Sequence, residues 1–302
     1  MVTRRMLIAG AGSAAVWPFA AQAQDRSFDS EDLHRGRATV PVFLNDRGPF
    51  QFMVDTAANA SVIAGDLVEP LQLASLGNVG MNTLVGREIV PAVRVDRMRT
   101  GVLDAQHLRL AVGWRRAMAG LDGLLGCDLL ADRKLILTFR GSQRARIARS
   151  SAPPRGFLGR MDVGVPMVVA GERRFGNLLM VPARIGRASA VAIIDSGAEG
   201  TILNRAAAVA GRCTPLTPGD GQTLRRVQSP TGEFTTGQAM LLPSLELATT
   251  SISDLAVAVG DFHSFDVWGL ADQPAMLIGL DVLRLFGSVH IDLKRSELSL
   301  RA

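Results

Sequence analysis

The sequence predicts an all-β protein composed of two homologous lobes that are related by pseudo-two-fold symmetry. Short segments rich in Val, Ile, Leu and Phe alternate with Gly, Pro, Asn and Asp, which is typical of strands joined by turns. One strand-turn motif occurs twice, as Phe-Met-Val-Asp-Thr-Ala-Ala at residues 52–58 and as Ala-Ile-Ile-Asp-Ser-Gly-Ala at residues 192–198. A repeat of this spacing indicates two lobes, because the units of a solenoid are much shorter.

The strand pattern is clearest in seven segments, whereas helical periodicity is rare. The predicted strands are Thr39–Leu44, Phe50–Val54, Lys134–Phe139, Leu178–Ile185, Ala190–Ile194, Leu255–Val259 and Val289–Leu293. The predicted helices are short and lie at Ala64–Pro70, Asp128–Asp132, Arg205–Ala210 and Asp281–Phe286.

The first 23 residues have the organisation of a signal peptide. Arg4 and Arg5 precede a short apolar stretch rich in Gly and Ala, and Ala21-Gln-Ala23 supplies a cleavage site. The paired arginines resemble a twin-arginine signal. We therefore expect cleavage after Ala23 and a periplasmic or secreted protein. No stable membrane insertion is expected after cleavage, because charge, Gly or Pro interrupts every later apolar run.

A Pro pair within Ser150–Gly156 marks a boundary between the two units. We predict an N-terminal lobe at residues 24–150, a linker at residues 151–156 and a C-terminal lobe at residues 157–302. Downstream of each Asp motif an apolar-apolar-Gly segment recurs, at Leu124–Leu130 and at Leu277–Leu283, and a strand follows each segment. The repeat therefore extends well beyond the Asp motifs.

Asp55 and Asp195 are the residues of the repeat that can carry chemistry. Each ends an apolar strand, which fixes its carboxyl group on a rigid element. Small residues follow each Asp and allow the backbone to approach closely. If the lobes pack about a two-fold axis, the two loops meet there, and neither carboxyl group can ionise independently of the other.

This pattern resembles the aspartic proteases of the pepsin and retropepsin type, whose mark is Asp-Thr/Ser-Gly followed later by apolar-apolar-Gly. The resemblance covers the chain from roughly residue 37 to its end. It implies two β-barrel lobes, each similar to a retropepsin subunit, with an active-site cleft between them. It also implies that Asp55 and Asp195 share one proton and activate a water molecule for peptide hydrolysis, without a metal or organic cofactor.

The resemblance assigns supporting roles to the neighbours of the two aspartates. Thr56 and Ser196 would cross-link the two loops beneath the carboxyl groups, and Ala57 and Gly197 would offer backbone amides to them. Ala57 departs from the family pattern, which has Gly at this place. We therefore predict an aspartic endopeptidase acting on peptide or protein substrates. The alternative is a catalytically inactive, protease-like module that binds a peptide or protein.

Two segments are candidate flaps over the cleft, with Gly86 and Gly232 at the hairpin tips. Ordinary surface hairpins remain an equal alternative. The chain contains no Tyr, so the flap Tyr of pepsin-like enzymes is absent. One chain supplies both lobes, and we therefore expect a monomer.

Several other residues receive structural interpretations. We expect Asp128 and Asp281 to cap short helices, and Trp114 and Trp268 to lie in the core rather than in the cleft. Cys127 is expected to be a buried free thiol. Asp122 and Glu199 are assigned to turns.

Composition excludes several function classes. The net charge is +5, but no dense basic run with interleaved aromatic residues is present, so nucleic acid is not an expected partner. Two Cys residues do not make a disulfide framework, and the four His residues lack the spacing of metal ligands.

Overall fold

The structure is a computed structural model that describes residues 16–18, 37–140, 144–150, 166–216 and 224–301. The predicted signal peptide, apart from Val16–Pro18, and the predicted linker at 151–156 lie outside these residues.

Strands form most of the regular structure, and the helices are short. The strands are, in chain order, β1 (Val16–Pro18), β2 (Thr39–Leu44), β3 (Arg47–Val54), β4 (Val62–Ala64), β5 (Ser75–Asn82), β6 (Arg87–Thr100), β7 (Leu103–Gly113), β8 (Gly123–Leu125), β9 (Arg133–Thr138), β10 (Arg144–Arg149), β11 (Met167–Ala170), β12 (Glu172–Arg174), β13 (Leu178–Ile185), β14 (Ala188–Ile194), β15 (Ile202–Leu203), β16 (Thr214–Pro215), β17 (Leu224–Gln228), β18 (Phe234–Leu247), β19 (Thr250–Val259), β20 (Ala275–Ile278), β21 (Ser288–Asp292) and β22 (Glu297–Arg301). The helices are α1 (Cys127–Leu130), α2 (Arg205–Ala210), α3 (His263–Val267) and α4 (Leu280–Leu283), and a 3-10 turn covers Gly65–Leu67.

Each lobe contains a closed six-stranded barrel with the same order of strands. In the N-terminal lobe the order is β2-β3-β8-β4-β7-β6, and pairing of β6 with β2 closes the ring. In the C-terminal lobe the order is β13-β14-β20-β15-β19-β18, and pairing of β18 with β13 closes the ring. The equivalence of the two rings, strand by strand, confirms the predicted all-β, two-lobed fold.

A third sheet joins the lobes. Its order is β10-β9-β21-β22-β11, and the central pair β9–β21 brings one strand from each half of the chain into antiparallel register. Leu135 and Leu137 of β9 and Val289 and Ile291 of β21 are buried beneath this sheet. One continuous apolar core therefore extends through both lobes. Such a core makes the lobes a single packed unit, which is what holds the two Asp loops in register.

The sequence predicted the strands better than the helices. Thr39–Leu44, Leu178–Ile185 and the helix Arg205–Ala210 are confirmed residue for residue. The predicted helix at Ala64–Pro70 is wrong, because Val62–Ala64 pairs with both β7 and β8 and only a 3-10 turn follows. The two helices after the apolar-apolar-Gly segments exist, but they begin one residue earlier and end two or three residues sooner.

Candidate active site

The two Asp loops are positioned by paired parallel strands in each lobe. β3 runs beside β8, and the backbone N–H of Asp55 donates to the carbonyl of Leu125 at 2.9 Å. β14 runs beside β20, and the N–H of Asp195 donates to the carbonyl of Ile278 at 3.0 Å. The apolar-apolar-Gly segments recur in the sequence because they are the strands that hold the Asp residues.

Gly126 and Gly279, which follow these strands directly, leave room for the Asp loops to pack over them. A Cβ atom on Gly126 would lie 2.8 Å from the carbonyl oxygen of Ala58, and one on Gly279 would lie 2.7 Å from that of Gly200. A side chain at either position would therefore displace the loop that carries the carboxyl group.

Thr56 and Ser196 cross-link the two loops through a symmetric set of four hydrogen bonds. Thr56 Oγ1 donates to the Ile194 carbonyl at 2.6 Å and accepts from the Ser196 N–H at 3.1 Å. Ser196 Oγ donates to the Val54 carbonyl at 2.7 Å and accepts from the Thr56 N–H at 3.2 Å. Both side chains are fully buried. These buried bonds join the lobes directly beneath the aspartates.

Each Asp carboxylate is held by two backbone amides of its own loop. Asp55 Oδ1 accepts from the N–H groups of Ala57 and Ala58 at 2.9 and 3.0 Å. Asp195 Oδ1 accepts from those of Gly197 and Ala198 at 2.8 and 2.9 Å. Ala57 does not occupy the left-handed region of backbone space, so its methyl group causes no backbone strain. The departure from Gly at this position therefore leaves the carboxylate's hydrogen bonds intact.

The carboxyl groups of Asp55 and Asp195 lie within hydrogen-bonding reach of each other. Gly197 packs against the Asp55 carboxyl group so closely that a Cβ atom would lie 2.5 Å from its Cγ and Oδ2 atoms. Asp195 is 5% exposed, whereas Asp55 is more accessible.

Burial raises the pKa of both carboxyl groups above the ordinary Asp value. The negative charge of Asp55 raises the pKa of Asp195 further, so that its pKa lies well above that value. Two adjacent buried carboxyl groups cannot both ionise readily, and the pair therefore keeps one proton over a wide pH range. The proton belongs to the pair rather than to either residue.

Arg37 contacts the site, although the sequence motifs do not reveal it. Its Nη1 atom donates to the carbonyl of Gly197 at 2.6 Å, and its Nη2 atom lies 3.1 Å from Oε1 of Glu199. The positive charge of Arg37 lowers the pKa of both Asp55 and Asp195, in opposition to burial. Arg37 lies 18 residues before Asp55, outside any local pattern, so only the packing of the lobes identifies it.

The two candidate flap hairpins meet across the lobes. The turn containing Gly86 joins β5 to β6, and the turn containing Gly232 lies between β17 and β18. Thr231 Oγ1 donates to the Glu88 carboxylate, which also accepts from Thr83 Oγ1. The hairpin tips therefore bridge the two lobes instead of standing apart as separate surface turns.

Trp114 also belongs to this contact between the hairpins. It is 68% exposed, so the expectation that it lies in the core is wrong. The backbone N–H of Trp114 donates to the carbonyl of Pro230, and a Cβ atom on Gly232 would lie 2.8 Å from the Trp114 ring. The expectation is confirmed for Trp268, which is buried and packs edge-on against Phe265.

Asp128 and Asp281 do not occupy the N-cap positions of their helices, although Asp281 Oδ1 accepts from the Val282 N–H at 2.8 Å in the first turn of α4. The helices α1 and α4 start after Gly126 and Gly279, whose positions have no side-chain cap. Instead, Asp128 accepts two hydrogen bonds from Ser61, and Asp281 accepts two from Thr201. Both carboxylates thereby anchor the end of an Asp loop. The two acids repeat in the sequence because they perform the same structural task in each lobe.

Neither Cys127 nor Cys213 forms a disulfide bond. Asp122 forms an ion pair in addition to its place in a turn. Cys127 Sγ donates to the carbonyl of Thr56 at 3.2 Å, and burial raises the pKa of this thiol. Asp122 accepts from the Gln51 N–H and pairs with Arg115.

Within the described ranges, no group of three or more His, Cys, Asp or Glu residues is arranged to hold a metal ion. No helix in those ranges is long and apolar enough to cross a membrane.

Family models of aspartyl proteases match both halves of the chain. Residues 40–132 match the family described as gag-polyprotein aspartyl protease, and residues 181–282 match the family described as aspartyl protease. Among solved structures, a retropepsin-like aspartic protease from Rickettsia conorii is 18% identical, with a TM-score of 0.32. The match covers 45% of this chain and 90% of that one. A comparison with curated proteins gave no significant match.

The paired barrels and the two facing Asp loops define a protein with the aspartic protease fold. One family match contains Asp55 and the other contains Asp195. Two aspartyl protease domains therefore lie in tandem along the chain, one around each aspartate.

Proposed function

We propose that this protein is an aspartic endopeptidase that hydrolyses peptide or protein substrates at the Asp55–Asp195 pair. The observation that carries the proposal is the completeness of the site. Both carboxyl groups lie within mutual hydrogen-bonding reach, each is held by two backbone amides, and the loops are locked by Thr56 and Ser196.

In the proposed mechanism a water molecule binds between the two carboxyl groups. The ionised carboxylate takes a proton from this water as its oxygen attacks the carbonyl carbon of the peptide. The protonated carboxyl group donates to the carbonyl oxygen, which gives a neutral tetrahedral intermediate. The C–N bond then breaks, and the amine leaves after accepting a proton from the pair. The raised pKa values suit this cycle because one carboxyl group must begin protonated.

The test is cleavage of a peptide library by the purified protein from acidic to neutral pH, compared with Asp55→Asn and Asp195→Asn. Each substitution should lower kcat by roughly 10²- to 10⁴-fold or more, because each removes an essential acid or base. Thermal unfolding should show that both variants remain folded. Activity that survives both substitutions would contradict the proposal. If the wild-type protein binds peptides but cleaves none at any pH, the alternative of a binding module is correct.

We also propose that the protein acts as a monomer after export to the periplasm or medium. The single chain supplies both aspartates, and Arg4, Arg5 and Ala23 have the pattern of an exported precursor. Cell fractionation with N-terminal sequencing of the product tests the export. A mature chain that begins at residue 24 is the expected result, and a cytoplasmic chain with an intact leader would contradict it.

A further inference from the structure

We propose that Arg37 is a positioning residue for the Asp55–Asp195 pair, and that it makes the two halves of the site electrically unequal. The proposal deepens the proposed function and rests on it for its kinetic consequence. It is carried by the contacts of one peptide group, the one that joins Gly197 to Ala198.

This peptide group lies between Arg37 and Asp195. Its carbonyl oxygen accepts from Arg37 Nη1 at 2.6 Å, and its N–H, which belongs to Ala198, donates to Asp195 Oδ1 at 2.9 Å. A cation at the oxygen and a carboxylate at the N–H polarise the same peptide in the same direction, so each hydrogen bond strengthens the other. Arg37 thus favours the ionised form of Asp195 without touching it.

Arg37 also fixes the residue that both carboxyl groups contact. Gly197 donates its N–H to Asp195 and packs directly against the carboxyl group of Asp55. Arg37 comes from the N-terminal lobe, whereas Gly197 lies in the C-terminal lobe. The Arg37 side chain is only 17% exposed, and the ion pair with Glu199 holds it in place. The arginine therefore holds one loop against the other at the level of the reacting groups.

The position equivalent to Arg37 in the other half of the site carries no charge. The pairing of Thr39 with Met53 and of Met180 with Ile193 places Leu178 at the position that corresponds to Arg37. Leu178 is apolar and fully buried. The residue that corresponds to Glu199 is Asn59, which donates a neutral hydrogen bond to the carbonyl of Phe175. Duplication gave two similar loops, and among the residues that the structure describes only the Asp195 loop is held by an ion pair.

The remaining charged groups near the pair do not cancel this effect. Glu199 faces Arg37 and is 44% exposed, so water screens much of its charge. Arg284, at the end of α4, lies near Glu199 and Arg37. The Cys127 thiol of α1 lies near both aspartates, but burial raises its pKa and keeps it neutral. The charge of Arg37 accordingly favours ionisation of the pair, and it opposes the larger effect of burial, which leaves the pKa of both acids raised.

The test compares Arg37→Gln and Arg37→Lys with wild type by the pH dependence of kcat/KM and by carboxyl-carbon NMR of Asp-labelled protein. Loss of the cation should move the titration of the pair to higher pH. At the acid end of the profile, kcat/KM of Arg37→Gln should therefore fall by about three- to tenfold. Arg37→Lys keeps the charge and should restore much of this loss. A simple loss of folding would not give such a pH-dependent pattern.

Two further variants make the test decisive. Arg97→Gln removes the same charge from the exposed pair with Asp104 and should leave the titration of the two aspartates unchanged. Glu199→Gln leaves Arg37 without its counter-ion and should move the titration of the two aspartates to lower pH. This variant tests the proposal even if Arg37→Gln fails to fold. Titrations identical to wild type in both Arg37→Gln and Glu199→Gln would overturn the proposal. The NMR titration needs no cleavage, so an inactive wild-type protein would refute the proposed function while the role of Arg37 is still measured.

Discussion

Replacing Gly197 by Ala should strongly lower activity, even though the matching position of the other loop, Ala57, is already an Ala. A Cβ atom on Gly197 would lie 2.5 Å from Cγ and Oδ2 of Asp55, whereas ordinary contact begins near 3.4 Å. The carboxyl group or the loop must therefore move by about 0.9 Å. A misplacement of about 1 Å costs on the order of 10²-fold in rate. Overpacking of this kind costs about 1–3 kcal/mol in the free energy of unfolding.

The assay is kcat/KM on a cleaved peptide, combined with urea unfolding of the same preparation. Ala57→Gly is the reciprocal control, because it removes a methyl group and should stay within a few-fold of wild-type activity. Gly80→Ala controls for the substitution itself, since a Cβ atom there would lie 3.5 Å from its nearest neighbour, the Arg87 side chain. Wild-type activity and stability in Gly197→Ala would refute the reasoning, because the Asp55 carboxyl group would then not be fixed against Gly197.

Three further predictions concern the cross-link, the buried acids and the hairpins. Thr56→Val should lower the free energy of unfolding by about 1–3 kcal/mol in urea, because it leaves the Ser196 N–H and a carbonyl without their buried partner; an unchanged transition would contradict this. Burial raises the pKa of Asp195 above its ordinary value of 3.8, so its contribution to stability is complete below that pH and is lost as the pH rises. Asp195→Asn should therefore raise Tm relative to wild type at neutral pH but not below pH 3.8, and a difference independent of pH would refute this assignment. Thr231→Val removes the hydrogen bond to Glu88 and should speed amide hydrogen exchange in both hairpin tips; a change confined to one tip would show that the hairpins move independently.

The local features of the site could be predicted from the sequence because each depends on a short stretch of chain. Asp55 and Asp195 end apolar strands, and the residues that follow them are small or carry a hydroxyl group. Gly126 and Gly279 recur because a Cβ atom would collide with the Asp loop at either place. A repeat of such features indicates two lobes, since each lobe must build the same loop from the same local rules.

The roles of Asp128 and Trp114 could not be read in this way. An Asp at the start of a short helix commonly caps it, but here the carboxylate finds better donors on Ser61, 67 residues earlier in the chain. A Trp is commonly buried, but Trp114 supports a hairpin tip from the other lobe, more than 100 residues away. In both cases a contact across the fold replaced the local preference.

The sequence by itself determined that the protein has two related lobes and which carboxylates and hydroxyl groups stand at their loops. Those features follow from strand pattern and from repetition along the chain. Only the tertiary structure decided which residues of one lobe contact the loops of the other. It brings Arg37 to Gly197 across 160 positions of sequence and joins Glu88 to Thr231 across 143. Such contacts arise from the packing of one lobe on the other, which no local pattern of residues encodes. For this reason a duplicated sequence has produced a site whose two aspartates are not equivalent.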